Sequence, residues 1–245
     1  MLAELYHAHH RLYREDIPFW QGLAAQQGGP ILELGCGTGR VTLELAGEGH
    51  EVYGLDNDAD TLAVLQRRLS ESDLPNVAYR QADMTEFSLK SKFSLIILPC
   101  NTYSTLSAQQ RLVTLECVQK HLAAGGLFAA SMLNPARVLE LPESGEPELE
   151  ETIVHPRSGQ PVQVSSAWQR GESSFQVIWH YDQMLPDGMV ERTTVTANHE
   201  LASTEDYQHE LQQAGFELKD VYGDFEEGSY DADSPYFIFV AAPQS

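Results

Sequence analysis

The sequence predicts an α/β protein with a Rossmann-like, mostly parallel sheet, helices on both of its faces, and a small antiparallel β insert. Three observations predict it. Short apolar runs alternate with amphipathic stretches from residue 31 to 133; a glycine turn, Gly35-Cys36-Gly37-Thr38-Gly39, joins the first run to the first amphipathic stretch; and residues 152–201 become β-rich. Alternating strand and helix patterns build βαβ units, in which a helical crossover returns the chain to a parallel strand.

In chain order, Leu2, Leu5, Tyr6, Leu12 and Tyr13 recur at helical spacing, and Pro18 opens a second helix that runs to the breaker Gly28-Gly29-Pro30. Residues 1–29 therefore read as an N-terminal helical arm. ILEL, EVYGLD, NVAYRQAD, FSLIILP and GGLFAASML supply strands, while VTLELAGEG, DADTLAVLQRRLSES and SAQQRLVTLECVQKHLA supply helices. The Pro- and Glu-rich stretch 134–151 reads as a solvated connection. QVSSAWQR, SFQVIWHYDQML and MVERTTVTANHEL, broken at Arg170-Gly171-Glu172 and Pro186-Asp187-Gly188, read as antiparallel strands. Ser203 is placed to cap a helix, with Asp206 at its third position and Gly215 as terminator, and FELKDVYGDF and SPYFIFVAA close the chain as strands. The expected division is the arm, a core of residues 30–134 plus 202–245, and an insert of residues 135–201 that caps a substrate site.

With 245 residues and 42% hydrophobic content the chain can bury one large core. Fifteen basic against 36 acidic residues give a net charge of −21, which repels nucleic-acid backbones and anionic lipid surfaces. No apolar run approaches the roughly 20 residues of a bilayer span, and the start of the chain lacks a signal-peptide pattern, so a cytoplasmic protein is expected. Cys36, Cys100 and Cys117 fit neither a disulfide framework nor a thiolate metal site. His7, His9 and His10 lack a paired carboxylate–histidine motif, and no metal is expected.

Glycines at 35, 37 and 39 between a strand and a helix allow positive φ and let a ligand approach the backbone, beside the free N–H groups of a helix N-terminus. A dinucleotide fingerprint needs a third glycine at position 40, where the chain has Arg40. Glu33 ends the strand two residues before the turn; a carboxylate there repels a pyrophosphate and suits an ammonium group. Asp56, 21 positions after Gly35, is placed to accept both hydroxyls of a ribose. These features describe an adenosine ligand without phosphates.

E-L-G-C-G-T-G at 33–39, Asp56, A-D-M at 82–84 and LPCN at 98–101 resemble, in order and spacing, the class I S-adenosylmethionine-dependent methyltransferases, over roughly residues 15–134. The tail D-F-x-x-G-S-Y-D-A-D-S-P-Y at 224–236 is similar to the end of the bacterial small-molecule members. The resemblance implies a seven-stranded sheet of order 3-2-1-4-5-7-6, S-adenosylmethionine as cofactor and S-adenosylhomocysteine as product. It implies that Gly35, Gly37 and Gly39 pass the methionine and ribose, that Glu33 helps hold the amino group, and that Asp56 takes the ribose with Asn57 beside the adenine. Asp83 would meet the adenine amino group with Met84 on the ring, and Leu98 to Asn101, Cys100 included, would line the methyl-transfer face. LPCN is neither an acidic site nor an N-P-P-[YF] tetrad, which sets nucleobase and glutamine-amide acceptors aside.

A sulfonium methyl is already activated, so alignment and exclusion of water suffice for a neutral amine, whereas an alcohol or phenol needs a base. The expected activity is methylation of nitrogen or oxygen on a small metabolite, with a cationic or amine acceptor favoured by the acidic rim at 140–151 and 224–233. Spacing singles out no catalytic residue: Tyr6, Tyr13, Asn101, Tyr103, His155 and His180 are the candidates, with His199 also in or beside the insert and aromatics that include Trp179 able to form an apolar, cation-compatible wall. A non-catalytic protein that binds the cofactor or its product, and a nicotinamide-dependent oxidoreductase, are the alternatives. A monomer and a homodimer are equally compatible with the sequence.

Overall fold

The computed structural model describes residues 2–244. Two helices, α1 (Leu2–His10) and α2 (Ile17–Gln27), precede an alternating core: β1 (Ile31–Leu34), α3 (Arg40–Gly47), β2 (Val52–Asp56), α4 (Ala59–Glu71), β3 (Val77–Gln81), β4 (Phe93–Leu98), a 3-10 turn at Thr102–Thr105, α5 (Ala108–His121) and β5 (Leu122–Leu133). There follow α6 (Pro135–Glu140), four strands β6 (Ser144–Val154), β7 (Pro161–Arg170), β8 (Ser174–Met184) and β9 (Val190–Glu200), then α7 (Thr204–Gln213), β10 (Phe216–Tyr222) and β11 (Tyr236–Pro243).

The main sheet has the order β10-β11-β5-β4-β1-β2-β3. Renumbered without the insert this is the expected 3-2-1-4-5-7-6: β1 to β5 are parallel and β11 runs antiparallel to both β5 and β10. Strands buried on both faces explain why ILEL and FSLIIL are continuous apolar runs rather than alternating ones. One face packs Tyr103, Leu115, Phe128, Tyr207 and Phe237; the other packs Trp20, Val41, Leu45 and Val240. Helix α2 belongs to that second face, with Trp20 wholly buried. Ser203 forms its capping box with Asp206, and Gly215 follows the helix at φ 78°.

The stretch read as a solvated connection is instead α6 followed by β6, the edge strand of a separate antiparallel sheet β6-β7-β8-β9. Asn134 caps α6 through the Ala136 amide. Pro147 and the glutamates that made the segment look like a loop are tolerated because an edge strand leaves one row of amides unpaired and gains from charge. Register shifts at Gly145/Glu148 and Leu149/Glu151 break its two-residue alternation, which hides it from a pattern reading. Helix α1 bridges the two sheets. Leu5 packs with Ile153, Val162, Val164 and Tyr181, His9 bonds Tyr181 (3.0 Å) and Glu150 (2.9 Å), and Glu4 pairs with Arg67 of α4 (2.8 Å) and Arg157 of the β6–β7 turn (2.6 Å). Among the described residues no helix is long and apolar enough to cross a membrane.

Candidate active site

Two cavities of about 500 and 460 Å³ lie along the carboxyl edge of the parallel sheet, and both are lined by Tyr6, Gly35, Gly37, Thr102, Thr105 and Val195. Ligands of open α/β sheets sit at this edge, where loops diverge and helix N-termini point outward. The smaller cavity is bounded by Asp56, Asn57, Ala82, Asp83 and Met84; the larger one runs past Glu33, Thr38 and Arg40 to Asn101, Leu133 and the insert.

The glycine turn separates them by conformation as well as position. Gly37, at φ 52°, has only the Asp56 carboxylate within 4 Å of where a side chain would begin, so its backbone faces open space. Its amide donates to Asp56 Oδ2 at 2.7 Å, and the Asp58 amide donates to Oδ1 at 2.8 Å, which aims that carboxylate over the turn. Burial raises the Asp56 pKa, against these amides. Glu33 is 3% exposed, and burial pushes its pKa up to about 8, although the Thr42 hydroxyl donates to it and the Arg40 charge is near.

Arg40, the residue in place of a third dinucleotide glycine, makes paired bonds of 2.6 Å each to Asp16, and its guanidinium lies 5.1 Å from the Tyr13 ring centroid. Trp20 Nε1 donates to the same carboxylate at 3.0 Å. Opposite, Cys100 and Asn101 follow β4 with φ of 60° and 63°. Adjacent non-glycine residues in that region carry strain, and the surroundings hold them there: the Asn101 amide donates to the Ser131 carbonyl (3.0 Å) and the Leu133 amide to Asn101 Oδ1 (2.8 Å). The far wall comes from the insert, with Val177, Trp179, Val195, Ala197 and His199 on one face of β8 and β9.

Of the residues singled out in the sequence, Glu33, Cys100, Asn101 and Tyr13 line the larger cavity, Asp56, Asn57, Asp83 and Met84 the smaller, and Tyr6, Gly35 and Gly37 both. Tyr13 donates to the Tyr236 hydroxyl at 3.2 Å. Five residues lie elsewhere. Gly39 caps α3 at φ 79°, and a side chain there would run into Leu65 Cδ1, so its bareness serves helix packing. Leu98 points into the core, because successive strand residues face opposite ways and the strand has not yet opened into the loop. Tyr103 is wholly buried, turned by the 3-10 turn against Phe128, Tyr207 and Phe239. His155 sits in the β6–β7 turn, accepting from the Arg157 and Ser158 amides, and lines other pockets. His180 bonds Thr194 on the face of the insert opposite Trp179 and Val195.

Asp16, Thr38, Arg40 and Tyr236 line the cavity without having been chosen from the sequence, whereas Trp179 and His199 were offered there only among other aromatic and histidine side chains of the insert. Arg40 was legible only as a missing glycine, and its partner lies 24 residues upstream, outside any local motif. Trp179 and His199 differ from His180 only by strand parity, which needs a register to read.

A methyltransferase-domain family model matches residues 31–126, the span from β1 to the start of β5. The chain is 25% identical over 228 residues to a putative methyltransferase, YqeM, of Bacillus subtilis (strain 168), covering 91% of this chain and 87% of that one. It is 25% identical over 221 residues to the cypemycin N-terminal methyltransferase of a Streptomyces species, covering 89% and 84%. The crystal structure of the sugar N-methyltransferase KedS8 from Streptoalloteichus sp. ATCC 53650 has the same fold, with a TM-score of 0.79 at 17% identity over 100% of this chain and 93% of that one. With its sheet order, its glycine turn and a methyltransferase domain at residues 31–126, the protein has the class I methyltransferase fold and is an S-adenosylmethionine-dependent methyltransferase, with S-adenosylmethionine as its cofactor.

Proposed function

We propose that the protein methylates an amine nitrogen on a small molecule with an apolar body. The observation that carries this is the larger cavity's composition: Val177, Trp179, Val195, Ala197, Phe225 and Tyr236 form an apolar, aromatic wall, and Arg40, one of its two arginines, is neutralised by Asp16. Such a wall accepts a hydrocarbon frame and tolerates a cation over its ring faces. The charge of −21 raises the local concentration of cationic metabolites. One of the similar proteins described above is named as a sugar N-methyltransferase and another as an N-terminal methyltransferase, which supports nitrogen over oxygen.

When bound, S-adenosylmethionine supplies a methyl group on a sulfonium centre. The chain's residues fit it in order along the cleft. Asp83 and Met84 would hold the adenine end with Asn57, Asp56 the ribose hydroxyls, and the bare backbone of Gly35 and Gly37 the thread between the cavities. Glu33 would take the ammonium group. Cys100 and Asn101 would then border the methyl, with Tyr6 excluding water from above. A folded chain that holds these groups in place before substrate arrives contributes alignment rather than bond chemistry.

Turnover of a panel tests the reading: aminohexoses, peptides with free N-termini and aryl-ethylamines beside their hydroxyl counterparts, each followed by S-adenosylhomocysteine release. Methylation of one or more amines and of none of the matched hydroxyl compounds is expected. Turnover confined to the hydroxyl compounds would overturn it.

A further inference from the structure

The cavity contains one histidine whose ring is oriented by a hydrogen-bond chain that fixes where its proton sits. His199, on β9, places Nδ1 2.9 Å from Ser104 Oγ, and Ser104 Oγ lies 2.7 Å from the Asn101 carbonyl oxygen. A carbonyl can only accept, so the single hydroxyl proton of Ser104 goes to Asn101. Ser104 must then accept from His199, which puts the imidazole proton on Nδ1 and leaves Nε2 as a bare lone pair. That Nε2 has no protein partner among the described residues and, unlike Nε2 of His10, is not sealed within the protein.

The anchor is rigid. Asn101 is the positive-φ residue clamped to β5, so the chain from its carbonyl through Ser104 ties the imidazole to the same loop that borders the reacting end of the cleft. Ser104 is 8% exposed. Phe175 lies against the ring, with centroids 6.2 Å apart. Glu200, next on β9, is occupied by the Ala108 amide at 3.1 Å and lies 3.8 Å from Arg111; Tyr207 of α7 donates to the Glu200 carbonyl. Across the cavity Glu150 is paired with His9. Burial of His10, then the neighbouring His9, bring its pKa down to about 3, and it stays neutral. Burial also lowers the His199 pKa, so its lone pair is available at neutral pH.

We propose that His199, held by Ser104, is the proton acceptor for the methylated atom of the substrate. This rests on the amine reading above. An amine arrives as its ammonium form, which has no electron pair to attack with. One N–H proton passes to His199 Nε2, the freed pair forms the new N–C bond, and the C–S bonding pair leaves on sulfur; the imidazolium then returns its proton to water. The role differs from that of the candidates His155 and His180, which lie outside the cavity.

Two measurements on the full chain test it. Long-range 1H–15N NMR of the histidine-labelled protein with S-adenosylhomocysteine at pH 7.5, assigned by the loss of one spin system in His199→Gln, should show His199 protonated at Nδ1. Ser104→Ala should move it toward the Nε2–H form. A wild-type Nε2–H signal would overturn the proposal with no acceptor needed. With an amine that turns over in the panel, His199→Gln should lower kcat/KM at pH 7 about 100-fold while leaving the S-adenosylmethionine Kd within about twofold. The deficit should shrink as pH approaches the amine's own pKa, where free amine needs no acceptor. A deficit constant with pH, or a variant as active as the wild type, would overturn the proposal. Turnover of hydroxyl compounds alone would overturn the amine reading while the NMR result still judged His199.

Discussion

Arg40 holds Asp16 through two bonds of 2.6 Å, so the first turn of α3 is locked to the chain just before α2 by an ion pair whose carboxylate side chain is 1% exposed. Removing one partner leaves the other charge buried and uncompensated. Asp16→Ala should therefore cost about 3–5 kcal/mol of folding stability, and Asp16→Asn less, since the amide oxygen still accepts one bond. Urea unfolding measures both. An Asp16→Ala midpoint equal to the wild type would show that water already screens the pair.

Asp56 is aimed over the turn by the Gly37 and Asp58 amides. Asp56→Ala should weaken S-adenosylmethionine binding by about 1.5–3 kcal/mol, the value of hydrogen bonds to a charged group, in a calorimetric titration run beside NAD. Unchanged affinity would place the ribose elsewhere, and NAD binding would contradict the pocket's geometry.

Glu33 couples binding to protons. Its folded carboxyl keeps a proton up to about pH 8, against an ordinary value of 4.5. Between those values the folded state binds more protons than the unfolded one, so this group makes the cofactor-free protein less stable as pH rises through that window. An ammonium group docking beside it should expel the proton. Calorimetry at pH 6.5 in buffers of different ionisation enthalpy should register release of about one proton per cofactor, and Glu33→Gln should bind more weakly without that release.

Gly37 and Gly39 separate by consequence. Gly39→Ala should destabilise the fold by about 1–2 kcal/mol, because φ is 79° and Leu65 blocks the added carbon. Gly37→Val should abolish detectable cofactor binding, because the branched side chain enters open cavity. Melting temperature and cofactor Kd, measured on each, resolve the two roles.

Trp179 is the largest apolar surface the insert presents to the cavity. Trp179→Ala should raise the acceptor's KM by about 10–100-fold, the worth of burying 1.5–3 kcal/mol of side chain, with cofactor Kd unchanged. A fall in cofactor affinity instead would assign this wall to the cofactor.

The amino-acid sequence by itself determined the βαβ alternation, the sheet order implied by the motifs, and the residues at strand ends, because strand-to-turn boundaries are written in adjacent residues. Glu33, Gly35, Gly37, Asp56, Asp83 and Met84 all lie where strands deliver them to one cleft. Only the tertiary structure decided what faces that cleft across long distances. Strand parity selects Trp179 and His199 over His180, and the 3-10 turn sends Tyr103 inward while holding Ser104 against His199. Pairing with β7, across register shifts that break the alternation, makes a loop-like acidic stretch the edge strand β6. Each of these depends on pairings between residues dozens of positions apart, and the free energy that chooses among them comes from packing the whole sheet, which no local window of sequence contains.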